Sequence, residues 1–461
     1  MKKIPLFLVI LLMGAINGTF AQLLQPFKKG DRVVFAGNSI TEAGLYENYI
    51  WLYYITHFPK ERLQVFNGGV GGDVAGQIYA RLSKDLLAKD PSVLVVTFGM
   101  NDSRYFEYGD TTKTAQVTQD AVDTSYASFL KIEKELKAHS RIQKILMTSS
   151  PYDETMQNKD NYFKGKSHTL DLIARFQEEA AQRNGWGFVD LLHPMLDITY
   201  REQQQKPDFT LTGPDRIHPG SAGHFVMAYF FLKAQGLAGK PVADIVINAE
   251  GKLSRSENAQ VKHVQQKEGE ISFDYLAHSL PYPIDTLPRV WQNNQIQKEA
   301  LDVIPFTQEF NQERITVEGL KSGNYILKID GEEMGTYTAE ECGKGINLAE
   351  ITHTPQYQQA LQLMDLNRKH RELEAKFRNY YWVNYDFLQE KGLLLADNAA
   401  AMDTIMKHQE DNGWLKAKTN DYKEVVTPST RKRLEKEMQG LRDEMYRVNK
   451  PKKHQVTLTA I

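Results

Sequence analysis

Residues 32–41 read RVVFAGNSIT, and this stretch decides the fold. A short apolar run ends at Gly37, and Ser39 follows two positions later. Continuous apolar runs of this length are typical of strands that are buried on both faces of a parallel sheet. The stretch therefore predicts a buried strand followed by a turn that carries a serine.

Further apolar runs and amphipathic stretches alternate along the first half of the chain. The other predicted strands cover residues 63–66, 93–98, 142–148 and 187–191. The predicted helices cover 77–87, 125–138, 170–182 and 222–235. Strands that alternate with helices are typical of a doubly wound sheet with helices on both faces. We therefore predict a three-layer α/β/α domain over residues 22–239.

The pattern changes after residue 239. Short alternating segments at 243–248, 314–317 and 325–329, separated by turn-like stretches, predict a β-rich accessory region over 240–350. Residues 351–461 are predicted to be mainly helical, with the clearest helical pattern at 354–391 and 430–448. The aromatic and leucine face of this last region would either cover the other domains or serve as an oligomerisation or glycan-binding module.

The first 21 residues are typical of a secretory signal peptide. Lys2 and Lys3 precede an apolar run over 4–16, and Ala21 ends a short cleavage-like stretch. The run is shorter than the roughly 20 residues that a membrane-spanning helix needs. We therefore predict export, with no membrane span in the mature chain.

Charge and cysteine content restrict the class of protein further. The whole chain has 56 basic and 58 acidic residues, and removal of the signal peptide would leave a net charge of −4. No basic patch of the kind that binds nucleic acid is present. The single cysteine, Cys342, excludes an internal disulfide and is interpreted as a structural residue. Export without disulfides favours the periplasm or cell surface of a Gram-negative bacterium.

Four polar blocks follow predicted strands of the first domain, at the sheet edge where sites form in α/β proteins. They are Gly37-Asn38-Ser39-Ile40-Thr41, Asn67-Gly68-Gly69-Val70-Gly71-Gly72-Asp73, Gly99-Met100-Asn101-Asp102 and Asp215-Arg216-Ile217-His218-Pro219. Taken singly, each block is ordinary: a serine at a turn is usually a helix cap, and glycines or Asn-Asp are common in turns. The glycine block matches neither the Walker nor the Rossmann spacing. An aspartate three residues before a histidine can orient its ring, and His193 and His224 are the competitors of His218.

In this order, the four blocks resemble the SGNH or GDSL-like hydrolase family over about residues 31–237. The resemblance implies a parallel, flavodoxin-like sheet and a serine esterase without metal or cofactor. Carried over position by position, it implies that Ser39 is the nucleophile, His218 the general base and Asp215 its orienting acid. The oxyanion hole would consist of the Ser39 and Gly72 amides and the Asn101 side chain, with Gly69 or Gly71 as alternatives to Gly72. The usual Gly-Asp-Ser of the family is Gly-Asn-Ser here.

The segment after the third block should border the site. It carries Arg104, Tyr105, Phe106 and Tyr108, which could stack on sugar rings or pair with a uronic acid, or could simply pack as a surface loop. We therefore expect an esterase that removes acetyl, or alternatively methyl, groups from a polysaccharide or oligosaccharide. A lipase or arylesterase, a pectin methylesterase and a non-enzymatic glycan-binding protein are the alternatives.

Overall fold

The computed structural model describes residues 24–157 and 160–461. The predicted signal peptide therefore lies outside the described residues. Within the described ranges, no helix is both long enough and apolar enough to cross a membrane.

The first domain is built on a five-stranded parallel sheet. Its strands are β1 Arg32–Gly37, β2 Gln64–Gly69, β3 Val93–Thr97, β4 Gln143–Met147 and β5 Gly187–Val189. They lie in the order β2-β1-β3-β4-β5, and every neighbouring pair is parallel. This is the flavodoxin-like order, and each predicted strand position is occupied by a strand. The carboxyl ends of these strands share one edge, so the first three polar blocks meet there, and the fourth lies in the loop just before residue 221.

Helices cover both faces of this sheet and complete the predicted three layers. They are α1 Ser39–Glu42, α2 Tyr46–His57, α3 Ala75–Arg81, α4 Thr114–Ala138, α5 Lys166–Asn184, α6 Leu192–Gln203 and α7 Ser221–Ala234. Alternate residues of β1 point to opposite cores: Val34 packs in a cluster with α3, α4 and α5, and Phe35 packs in a cluster with α2, α6 and α7. This alternation is what a strand buried on both faces requires.

The β-rich region consists of two sheets that share one core. Its strands are β6 Ala243–Asn248, β7 Leu253–Glu257, β8 Ala259–Lys267, β9 Glu270–Ala277, β10 Glu313–Glu318, β11 Asn324–Ile329, β12 Glu332–Thr338, β13 Ile346–Asn347 and β14 His454–Ala460. The sheet orders are β13-β10-β6-β7 and β12-β11-β14-β9-β8. Two short helices, α8 Phe306–Phe310 and α9 Ala339–Lys344, lie in its connections. Residues 278–312 leave the sheets, and Tyr282 and Phe306 pack into the core of the first domain.

The C-terminal region is helical except at its end. Its helices are α10 Pro355–Trp382, α11 Ala399–His408, α12 Gly413–Val426 and α13 Pro428–Val448. After α13 the chain returns as β14, which pairs with both β9 and β11 in the middle of the second sheet. The last residues of the predicted helical region therefore belong to the β-rich region in space.

Helix α2 was not predicted, and its burial explains why. All twelve of its residues are buried. The helix contacts α7 on one side and α10 on another. A helix that is enclosed all round has no polar face, so it shows no amphipathic period in the sequence.

Candidate active site

Ser39 begins α1 directly after the end of β1. The side chain of Asn38 caps this helix by accepting a hydrogen bond from the amide of Ile40, at 3.0 Å. The Asn therefore fulfils the turn-forming role expected of the usual Asp. The hydroxyl Oγ of Ser39 lies 2.8 Å from Nε2 of His218, although 179 residues separate them.

His218 is in turn held by Asp215. The ring Nδ1 lies 2.5 Å from Oδ2 of Asp215. The other carboxylate oxygen accepts the backbone amides of Ile217 and His218, each at 3.0 Å. Burial alone would raise the pKa of Asp215, but the hydrogen bonds and charge of His218 outweigh it and lower that pKa below its ordinary value. The aspartate therefore stays ionised beside the ring.

Arg216 fixes the loop that carries both residues, and no sequence pattern predicted this role. Its backbone has a positive φ of 67°, a conformation that a non-glycine residue adopts only when its surroundings impose it. Its buried guanidinium donates to the carbonyl oxygens of Asp153 at 2.7 Å and Met156 at 2.8 Å. Turned inward in this way, Arg216 leaves its neighbour in the chain, Asp215, beside His218.

The competing histidines do not face Ser39. His193 also has an aspartate three residues earlier, Asp190, at 2.8 Å, so the spacing alone does not distinguish it from His218. Its second ring nitrogen faces Asp171 at 3.0 Å, which leaves no nitrogen for a serine. His224 is buried in α7, where burial lowers its pKa to about 3.

The hydrogen bonds of the glycine block distinguish among its amides. The amide of Gly69 donates to the side chain of Asn67 at 2.8 Å. The amide of Val70 donates to the carbonyl of Gly37 at 3.1 Å, and that of Gly71 donates to Glu42. Among the described residues, the amide of Gly72 has no acceptor. Its φ of +87° is also one that favours glycine.

Asn101 lies between the glycine block and the loop that follows β3. Its amide nitrogen donates to the carbonyl of Asp73 at 2.9 Å, and its amide oxygen accepts the Tyr105 hydroxyl at 2.6 Å. An amide nitrogen carries two hydrogens, so one remains for a ligand. The next residue, Asp102, is buried and accepts the amides of Gly99 and Ala75, each at 3.0 Å. These contacts hold the third block against the second.

The predicted substrate-binding residues of the 103–110 segment have different surroundings. Tyr105 touches Asn101, and Phe106 is 82% exposed. Arg104 is partly exposed and lies 3.7 Å from Glu107. Tyr108 is only 2% exposed, so it packs in the core and is not available to a substrate. The hydroxyl of Tyr108 donates to the carbonyl of Ser103 at 2.9 Å. The predicted substrate-binding role of Tyr108 is therefore wrong. The sequence could not show this, because an aromatic residue is equally common at the edge of a binding site and in a core.

A buried charge network lies beneath the glycine block. Arg81 donates to Asp73 at 2.5 Å, to Asp85 at 2.8 Å and to the carbonyl of Gly37 at 2.9 Å. Arg378 of α10 donates to Asp85 at 2.7 Å and to the carbonyl of Gly69 at 2.8 Å. The network therefore ties the serine turn and the glycine block to the helical region. No sequence pattern indicated Arg378, because 309 residues separate it from Gly69.

Metal-binding and thiol sites are the other kinds of site to consider. Within residues 24–157 and 160–461, no group of three or more His, Cys, Asp or Glu side chains is arranged to hold a metal ion. Cys342 is buried, and burial raises the pKa of its thiol to about 11. A thiol in that state is a weak nucleophile, which agrees with its interpretation as a structural residue.

Comparison with known proteins adds two family matches. Residues 35–225 match the GDSL-like Lipase/Acylhydrolase family. Residues 361–450 match the Diltiazem deacetylase C-terminal helical domain. The first match spans all four polar blocks, and the second spans most of the helical region.

Two individual relatives match the chain to different extents. A curated acetylxylan esterase from Geobacillus stearothermophilus is 23% identical over a match of 223 residues, which covers 45% of this chain and 94% of that protein. The solved structure of a gut microbial diltiazem-metabolizing enzyme is 45% identical, with a TM-score of 0.93. That comparison covers 96% of this chain and 100% of the other. The likeness therefore extends through the β-rich and helical regions.

Proposed function

Because the chain belongs to the GDSL-like lipase/acylhydrolase (SGNH) family and is a carboxylic ester hydrolase, we propose that it removes acetyl groups through an acyl-enzyme on Ser39. The serine oxygen attacks the ester carbonyl while His218 takes its proton. The alcohol then leaves with that proton, and Ser39 holds the acetyl group. Water attacks next, His218 accepts the water proton, and acetate leaves as the serine is restored.

The observation that carries this proposal is the continuous hydrogen-bonded chain from Ser39 to His218 to Asp215. The Ser39–His218 link measures 2.8 Å, which is within the reach that proton transfer requires, and the His218–Asp215 link of 2.5 Å orients the ring. Asp215 keeps the proton of the neutral ring on Nδ1, so Nε2 is free to accept the serine proton.

The developing negative charge needs donors on the other side of the carbonyl. We assign that role to the amides of Ser39 and Gly72 and to the second hydrogen of the Asn101 amide. Like the Gly72 amide, the Ser39 amide has no acceptor among the described residues. Preorganised donors of this kind each contribute about 3–4 kcal/mol to transition-state stabilisation.

The alcohol part of the substrate determines which acetyl ester the enzyme cleaves. We propose an acetylated oligosaccharide or polysaccharide as the natural substrate, and the relative named an acetylxylan esterase supports this choice. The exposed ring of Phe106, which packs edge-on against Phe163 at 5.5 Å, offers a surface on which a sugar ring could stack. An acetate ester of a ring-containing small molecule is the second candidate substrate, because the relative that matches 96% of this chain is named a diltiazem-metabolizing enzyme.

A substrate panel with a nucleophile variant tests the proposal. Hydrolysis of p-nitrophenyl acetate should be abolished by Ser39→Ala and unchanged by Ser322→Ala, a matched change at an exposed bend of the β-rich region. Release of acetate from acetylated xylo-oligosaccharides and from diltiazem separates the two alcohol classes. Faster turnover of long acyl esters would favour a lipase, and release of methanol from methylated pectin would favour a methylesterase. Unchanged turnover in Ser39→Ala would refute the mechanism.

We also propose that the protein is exported to the periplasm or cell surface of a Gram-negative bacterium. The support is the basic start, the apolar run and the small residue at position 21. Cell fractionation tests this, and retention of the full-length chain in the cytoplasm would contradict it.

A further inference from the structure

Besides Arg378, which binds Gly69 directly, the helical region is linked to the glycine block through a lysine that contacts Glu42. Lys418 lies in the second turn of α12, and its side chain is only 9% exposed. Its ammonium group donates to Glu42 and, at 2.7 Å, to the amide oxygen of Asn379. It also lies 5.3 Å from the centre of the Trp382 ring. A carboxylate, an amide oxygen and an aromatic face thus form a built pocket for this cation.

Glu42 connects that lysine to the glycine block. It is the last residue of α1, the short helix that Ser39 begins. One of its carboxylate oxygens accepts from Lys418, and the other accepts the backbone amide of Gly71. Both oxygens are therefore used, one towards the helical region and one towards the block that carries Gly72.

The amide of Gly71 is one peptide before the amide assigned to the oxyanion hole. Consecutive peptide planes share one Cα, so fixing the first restricts the second to rotation about two backbone angles. Glycine at position 71 would otherwise rotate freely. The helical region also reaches this point: a Cβ built on Gly71 would lie 3.6 Å from the Trp382 indole, in ordinary van der Waals contact.

We propose that Lys418 is a positioning residue of the active site, acting through Glu42 and Gly71 to hold the Gly72 amide towards the oxyanion. The C-terminal helical region thereby completes the catalytic machinery rather than only covering the first domain. This inference rests on the proposed function, because it takes Gly72 as an oxyanion donor. It goes further by assigning a role to a residue outside the α/β domain.

Lys418→Met in the full chain tests the inference. A donor displaced by about 1 Å can cost up to about 10²-fold in rate, so we expect kcat for p-nitrophenyl acetate to fall by about 10- to 100-fold with little change in KM. Inhibition by methylboronic acid, which forms a tetrahedral adduct on the serine, should weaken by a similar factor. Lys418→Arg keeps a donor for Glu42 and should recover part of kcat.

Two further variants separate positioning from folding. Glu42→Gln and Lys418→Met should be non-additive in kcat when combined, because each breaks the same link. Lys416 lies on the same helix as Lys418 and makes an exposed ion pair with Glu410 in the preceding turn; Lys416→Met removes that pair and should leave kcat unchanged. Thermal melting of every variant reports the fraction folded.

The possible results distinguish the inference from the proposed function. Wild-type kcat in Lys418→Met, with Ser39→Ala inactive, would overturn the positioning role and leave the hydrolase mechanism standing. A loss of kcat that matches only the loss of folded protein, with unchanged boronate affinity per folded molecule, would also overturn it. An active Ser39→Ala would overturn both.

Discussion

Replacement of Asp215 by Asn tests the catalytic chain with little change in shape. The Asn oxygen can still accept the backbone amides of Ile217 and His218, which Asp215 accepts at 3.0 Å, so the loop should keep its conformation. The new amide group faces Nδ1 of His218 as a donor. It therefore favours the tautomer with the proton on Nε2, which cannot accept the proton of Ser39.

The size of the effect follows from the geometry. Opposite unit charges at the observed 2.5 Å attract by about 7 kcal/mol at an effective dielectric of about 20, and by about 2 kcal/mol in water. The His218 and Asp215 side chains are 43% and 35% exposed, so solvent screens much of this attraction. We expect a loss of about 3–4 kcal/mol in transition-state stabilisation. That loss corresponds to a fall in kcat of about 10²- to 10³-fold, against about 10⁴-fold for a fully buried triad.

The assay is the steady-state hydrolysis of p-nitrophenyl acetate, with folding checked by circular dichroism. KM should change little, because the carboxylate does not contact the substrate. Asp190→Asn is the matched control, since Asp190 pairs with His193 at the same spacing but away from Ser39. The predicted role of Asp215 is refuted if Asp215→Asn keeps most of the wild-type kcat, or if Asp190→Asn loses as much.

Two other outcomes follow from the structure. Asn101→Ala removes one oxyanion donor, so kcat should fall by about 10²- to 10³-fold with the fold intact; a normal kcat would exclude Asn101 from the hole. His57 is buried against the carbonyl of Phe310 at 2.7 Å, and burial lowers its pKa from 6.5 to about 4. As the pH falls, His57 is therefore protonated in the unfolded chain before it is protonated in the native state. The free energy of unfolding should fall by up to about 3 kcal/mol between pH 6.5 and pH 4. His57→Gln should reduce this loss in urea unfolding at the two pH values, whereas the exposed His353→Gln should not; an equal loss in both variants would contradict the assignment.

Much of the first domain could be predicted because its signals are local. The run before Gly37 and the four runs after it are apolar on both faces, as strands inside a parallel sheet must be. The carboxyl ends of parallel strands share an edge, so the apolar pattern placed the blocks with Ser39 and Asn101 together. His218 lies in a loop that follows no strand, and the resemblance to the SGNH family indicated its place beside Ser39. Tyr108 was wrongly predicted to lie at that edge, because its burial in the core depends on packing that the sequence does not show.

The amino-acid sequence by itself therefore determined the sheet and the layers through apolar runs, and it indicated the site residues through the resemblance of its four blocks to the SGNH family. Only the tertiary structure decided which glycine amide is left free, because Asn67 and Glu42 occupy its neighbours. It alone placed β14 within the second sheet and brought Arg378 and Lys418 to the glycine block. Contacts between residues more than 300 positions apart leave no periodicity in the chain. They form because buried charges require partners, and the partners come from whichever element packs beside them.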